Sequence, residues 1–135
     1  MKRALAVTIQ QRPGATLVTV EGELDLDGAP RLCAAIQDGR RPARPEQVIV
    51  DLTCVEFCDS TGLRALMDAS REVAVSGGRL IVIAPEDGPV RRVIAMSGAD
   101  EFLALTADRD QVLGAFHGRS GAAPCAVSRR RTPAG

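Results

Sequence analysis

The hydroxyl groups best placed for chemistry follow the apolar run of residues 47–52. Asp59 and Ser60 stand directly before an amphipathic segment, and their side chains are of the types that cap free N–H groups at a helix start. A hydroxyl there is exposed, and a phosphate on it would meet unpaired N–H groups and the positive end of the helix dipole. Ser60 and Thr61 are therefore candidate phosphoacceptors, and helix capping alone is the alternative interpretation.

Nucleophilic catalysis by Ser60 lacks the partners that it requires. The single histidine, His117, lies at the end of the last predicted helix, and no Gly-x-Ser-x-Gly elbow or glycine-rich phosphate loop is present. The carboxylates of Asp25, Asp51 and Asp59 stand at strand ends and helix starts, where capping and solvation explain them. We predict no catalytic residue, no enzymatic activity and no cofactor.

Composition and charge favour a small globular protein with a protein partner. The 135-residue chain is 45% hydrophobic and 25% charged, and its 17 basic residues balance its 17 acidic ones. Aromatic residues make up only 2%, which argues against a stacking platform for nucleic acid bases. Residues 4–117 contain 17 acidic and 11 basic residues, a net charge of −6. Such a field favours a basic protein partner over nucleic acid.

The segments that position these residues follow a change of hydrophobic pattern along the chain. Residues 4–11 and 16–21 alternate like a half-buried β-hairpin, whereas later apolar runs are continuous, as in strands covered on both faces. The later strands are predicted at 47–52, 79–84 and 102–106, and helices at 29–38, 60–75, 88–97 and 108–116. This order predicts an α/β fold: a mixed β-sheet, with an N-terminal hairpin plus parallel strands, and about four packed α-helices. The predicted domain spans 4–117, and 118–135 is predicted to be a disordered basic tail.

Localisation and cysteine chemistry follow from the absence of export features in the sequence. No apolar run approaches the ~18 residues of a membrane span, and no secretory signal pattern begins the sequence, so we expect a cytoplasmic protein without a membrane span. Cysteines in that compartment stay reduced. We expect no metal site, because a tetrahedral zinc set is hard to assemble here. The cysteines are Cys33, Cys54, Cys58 and Cys125.

Several short motifs, in order, resemble the STAS domain, a family found in sulfate transporters and anti-sigma factor antagonists. They are Gly22-Glu23-Leu24-Asp25, the strand VIVDL at 48–52, Asp59-Ser60-Thr61-Gly62-Leu63, Gly77-Gly78-Arg79-Leu80 and Met96-Ser97-Gly98. The resemblance covers about residues 5–116 and is greatest to the free-standing bacterial antagonists. Cys58 departs from the family pattern, which usually has a larger apolar residue there.

This resemblance implies a partner-switching function. Such an antagonist binds an anti-sigma factor that is also a serine kinase, which frees the sigma factor. The kinase phosphorylates the serine that matches Ser60, with Thr61 as a secondary acceptor, and a PP2C-type phosphatase reverses the modification. The implied partner-binding residues are Asp25, Asp59, Ser60, Thr61, Gly62 and Leu63. A STAS scaffold in a stress-signalling or lipid-transport complex is the alternative, and a small enzyme or nucleotide-binding protein is a further one.

Overall fold

In the part of the chain that the structure describes, an initial β-hairpin is followed by four helices that alternate with three further strands. The computed structural model describes residues 4–39 and 47–114. The strands are β1 (Ala6–Arg12), β2 (Ala15–Leu24), β3 (Gln47–Cys58), β4 (Arg79–Ile83) and β5 (Ala104–Thr106). The helices are α1 (Ala29–Gly39), α2 (Ser60–Val75), α3 (Pro89–Ser97) and α4 (Arg109–Gly114), with a 3-10 turn at Ala99–Glu101. The predicted tail, 118–135, lies outside the described residues.

The sheet has the mixed topology that the hydrophobic pattern predicts. Its strand order is β1-β2-β3-β4-β5; β1 pairs with β2 antiparallel, and every later pair is parallel. The hairpin turn places Gly14 at φ 77°, a conformation that costs glycine little because it has no Cβ. The α/β prediction, with a hairpin edge and four helices, is confirmed.

The two faces of the sheet are covered unequally. Apolar residues of α1, α2 and α3 pack on one face against alternate residues of the central strands, including Val48, Val50 and Leu52 of β3. A smaller cluster lies on the opposite face, where Val112 of α4 packs against it; its buried members are Ala15, Leu17, Ile49 and Ile83. Within 4–39 and 47–114, three helices therefore cover one face and α4 alone covers the other.

A buried ion pair attaches α4 to this second face. Asp51 is 2% exposed, and its Oδ2 lies 2.6 Å from Nε of Arg109, the first residue of α4. Its Oδ1 accepts hydrogen bonds from the backbone N–H of Thr53 at 3.0 Å and from the Thr53 hydroxyl at 2.5 Å. Because both carboxylate oxygens are engaged, the role of Asp51 is structural.

Strand β3 is longer than its apolar pattern predicts. The predicted end of this strand at residue 52 is wrong, since the strand continues to Cys58. Its register with β2 shifts twice, between Thr19 and Glu21 and between Gly22 and Glu23 of β2. Each shift gives β3 an extra residue, as in a β-bulge, and a bulge disrupts the alternation of side chains. β2 likewise extends past the predicted end at residue 21, to Leu24.

Candidate functional site

The ends of two paired strands bring Asp25 and Asp59 to the same edge of the sheet. Leu24 and Cys58, the last residues of β2 and β3, are register partners, and the Asp59 N–H donates to the Leu24 carbonyl oxygen at 3.4 Å. Asp25 and Asp59 are therefore the first residues after two neighbouring parallel strands. The predicted site residues from two distant parts of the sequence lie together.

Each of these aspartates organises the start of the helix that follows it. Asp59 is the N-cap of α2, with φ −116° and ψ −171°, and its Oδ1 accepts from the Gly62 N–H at 3.1 Å. Asp25 Oδ1 accepts from the N–H groups of Asp27 at 3.1 Å and Gly28 at 3.0 Å, just before α1 begins at Ala29. Both carboxylates thus offer negative charge to helix N-termini, where charge is stabilised.

Ser60 is the first residue of α2 and is exposed. Within the described residues its hydroxyl makes no hydrogen bond, so an incoming enzyme can reach the oxygen without breaking a contact. Thr61, the next residue, is only half-buried. The sequence predicts that both hydroxyls lie at a helix N-terminus, and the structure places them there.

Gly62 and Leu63 are buried and hold the start of α2, and with it Ser60, against the core. A Cβ at Gly62 would lie 2.4 Å from the Leu24 carbonyl oxygen, 2.7 Å from Leu24 Cγ and 3.2 Å from Cys58 Sγ. Leu63, at 5% exposure, belongs to the main core. The close approach of α2 to the end of β2 therefore depends on the missing side chain at position 62.

Cys58 fills the space beneath this helix start. Burial, together with the adjacent Asp59 charge, raises the pKa of the Cys58 thiol to about 12, and burial also raises the pKa of Cys33. Both are free thiols, and at neutral pH they are protonated, which makes them poor nucleophiles. Cys54 is disulfide-bonded, so the prediction that all four cysteines are reduced is wrong for this residue; Cys125 lies outside the described residues.

Sequence reasoning missed two features next to the site. Leu26 and Phe57 are exposed apolar residues, at 70% and 44%, and each lies two residues from Leu24 or Asp59. A groove of about 330 Å³ also follows α2 from its first residue; its lining residues are Ser60, Leu63, Arg64, Met67, Asp68 and Arg71. The helical spacing of this last set was visible in the sequence, but the groove was not.

Removal of the Asp59 cap is expected to destabilise the chain measurably. Asp59→Ala leaves the Gly62 N–H without its acceptor, and loss of an N-cap costs about 1 kcal/mol. Asp59→Asn is the matched control, because its amide oxygen can accept the same hydrogen bond. Urea denaturation compares the two, and equal stability of the alanine variant and the wild-type chain would contradict the capping role.

The chain is similar over most of its length to a family model and to curated relatives. The family model described as "Mlab, STAS domain" matches residues 7–107. Anti-sigma-F factor antagonist RsfB of Mycobacterium tuberculosis is 30% identical over 117 residues, which cover 86% of this chain and 93% of that protein.

Solved structures extend the similarity to the fold. An anti-sigma factor antagonist from Mycobacterium paratuberculosis is 29% identical, with a TM-score of 0.70 over 84% of this chain and 95% of that one. The Bacillus cell fate determinant SpoIIAA, in its phosphorylated form, is 20% identical with a TM-score of 0.57, covering 82% of this chain and 99% of that one; this likeness concerns the fold alone. In the described residues, no helix is both long and apolar enough to span a membrane.

Proposed function

Because this chain belongs to the STAS domain family of anti-sigma factor antagonists, we propose that it binds an anti-sigma factor that is also a serine kinase. Binding frees the sigma factor, and phosphorylation of Ser60 ends the interaction. This function operates in the cytoplasm, where sigma factors act. A PP2C-type phosphatase resets the switch by hydrolysing the phosphoserine.

The observation that carries this proposal is the exposed hydroxyl of Ser60 at the start of α2, which makes no hydrogen bond to any residue that the structure describes. The kinase transfers the γ-phosphoryl group of ATP to Ser60 Oγ, and ADP and the hydroxyl proton are released. The product carries about −1.5 to −2 charge at neutral pH, directly beside Asp59. A change of charge of that size within an interface can lower the affinity for a partner enough to prevent binding.

The surface around Ser60 suits a basic partner with an apolar contact. Asp25 and Asp59 lie at the same sheet edge. The charged residues that line a cavity of about 350 Å³ there are three acids and one base: Glu23, Asp25, Asp27 and Arg31. Phe57 is register partner to Glu23 and is 44% exposed. Apolar anchors surrounded by charges are typical of specific protein interfaces, where the charges set partner choice and association rate.

Mapping of the phosphate tests the proposal directly. The full chain is incubated with the anti-sigma factor kinase of its own organism and Mg-ATP, and the modified residue is identified by mass spectrometry. We expect one phosphate, on Ser60, since Thr61 is less exposed. Ser60→Ala should abolish labelling and Thr61→Ala should preserve it. Phosphate on Thr61 alone would contradict the proposal, and absence of both labelling and binding would favour the scaffold function.

A further inference from the structure

One face of α2 carries a cation one helical turn from Ser60. Arg64 is exposed and lines the same groove as Ser60, with Asp68 and Arg71 farther along the helix. Residues four apart lie one above the other on a helix. Cα–Cβ bonds tilt toward the helix N-terminus, so the Cα–Cβ bond of Arg64 is inclined toward the helical turn that Ser60 begins.

The Arg64 guanidinium is the unengaged cation of this groove. Arg71 Nη1 lies 3.6 Å from Asp68 Oδ1, whereas Arg64 makes no hydrogen bond or ion pair within residues 4–39 and 47–114. An alternative pairing of Arg64 with Asp68 would place the base N-terminal to the acid, which is the poorer order on a helix. An acid at position 60 and a base at position 64 have the favourable order.

We propose that Arg64 is the internal counter-ion of phosphorylated Ser60. The inference rests on the proposed function, which supplies the phosphate. A guanidinium can bind two phosphate oxygens through parallel N–H donors, and the free N–H groups at the start of α2 remain available to the third. The ion pair keeps the phosphate of the modified Ser60 against the surface of α2. A partner must therefore displace Arg64 before it can contact the phosphate.

Other charged residues near position 60 also affect the pKa of the phosphate, but they are the same in the wild-type chain and in an Arg64 variant. Asp59 precedes it, Asp25 lies at the end of the adjacent strand, and Asp68 and Arg71 form their own pair. Arg71 lies about 16 Å from position 60 along the helix axis at 1.5 Å per residue. That separation exceeds the Debye length of about 8 Å at physiological ionic strength, so Arg71 is a matched control in the same groove.

Titration of phosphoserine measures the pair without a kinase or a partner. Phosphoserine is installed at position 60 of the full chain during translation, and its second pKa is measured by phosphorus NMR. In Arg64→Gln we expect this pKa to rise by ~0.3 to 0.7 unit, since an exposed ion pair favours the dianion by that order. Arg64→Lys should retain part of the effect, and Arg71→Gln should move the pKa by less than ~0.1 unit.

The outcomes separate this inference from the proposed function. An unchanged pKa in Arg64→Gln, or an equal shift in Arg71→Gln, would overturn the counter-ion role even if the kinase modifies Ser60. Failure of the kinase to modify Ser60 would remove the proposed function, yet the installed phosphoserine would still reveal the pair. Thermal denaturation of each variant checks that the fold is retained.

Discussion

Ser60→Asp is expected to bind the anti-sigma partner on the order of a hundredfold more weakly than the wild-type chain. Ser60→Ala is expected to stay bound in the presence of ATP, because it has no hydroxyl at position 60 to phosphorylate. A negative charge at position 60 adds to Asp59, on a segment of net charge −6 between residues 4 and 117. In a complex that charge must be desolvated or must face acidic groups of the partner, and like-charge contacts cost several kcal/mol. A hundredfold loss corresponds to about 2.7 kcal/mol.

The helix dipole does not cancel this penalty. Its stabilisation of an anion at the start of α2, up to about 2 kcal/mol in favourable geometry, is already present in the free chain. The affinity changes only through interactions that differ between the free and the bound chain, and the dipole of α2 acts on the charge in both. The proposed Arg64–phosphate pair likewise forms in the free chain, so it does not offset the penalty of binding.

Calorimetric titration of the partner measures this difference. Ser97→Asp is a suitable control, since it adds the same charge at an exposed serine at the end of a different helix, α3. It should bind like the wild-type chain. Equal affinities for Ser60→Asp and wild type would show that charge at position 60 does not operate the switch.

The sequence predicts most of the fold because its hydrophobic periods are unambiguous where the elements are regular. Alternation in β1 and β2 and the continuous run of residues 47–52 indicate strands of different burial. The second half of β3 could not be predicted from the hydrophobic pattern, for a physical reason. Its two bulges place Val55 and Cys58 in the same core, three positions apart, and no strict period of two describes that spacing.

The candidate site was predictable in part for a related reason. Capping is a local property, so Asp59 and Ser60 could be identified from residue type and position. The family resemblance implied that Asp25 and Asp59 share one surface. Their proximity depends on the pairing of Leu24 with Cys58, which the local pattern did not predict. The exposure of Phe57 depends on the same pairing and could not be derived from an apolar letter in a strand.

Gly62 shows most clearly how tertiary contact decides the effect of a residue. Glycine inside a helix normally costs about 1 kcal/mol relative to alanine, so local propensity predicts that Gly62→Ala stabilises the chain. The structure predicts the opposite sign, because the new Cβ would lie 2.4 Å from the Leu24 carbonyl oxygen. That oxygen belongs to the backbone of a paired strand and cannot rotate away.

Gly62→Ala is therefore expected to destabilise the chain by about 2 kcal/mol, within the usual range for overpacking. Gly114→Ala is the matched control: it also lies in a helix, but its Cβ would meet no described residue within 4 Å, so it should be neutral or slightly stabilising. Urea denaturation of both variants gives the two signs.

A second substitution identifies the cause. Cys58→Ala removes the sulfur that would lie 3.2 Å from the new Cβ, but it leaves the Leu24 contact. The double variant Cys58→Ala/Gly62→Ala should therefore recover at most a small part of the stability lost through Gly62→Ala, relative to Cys58→Ala alone. Full recovery would assign the constraint to the thiol, and a stabilising Gly62→Ala would show that α2 does not press against the end of β2. Since the same contact sets how closely α2 lies against the end of β2, it also sets the position of Ser60 at the start of that helix.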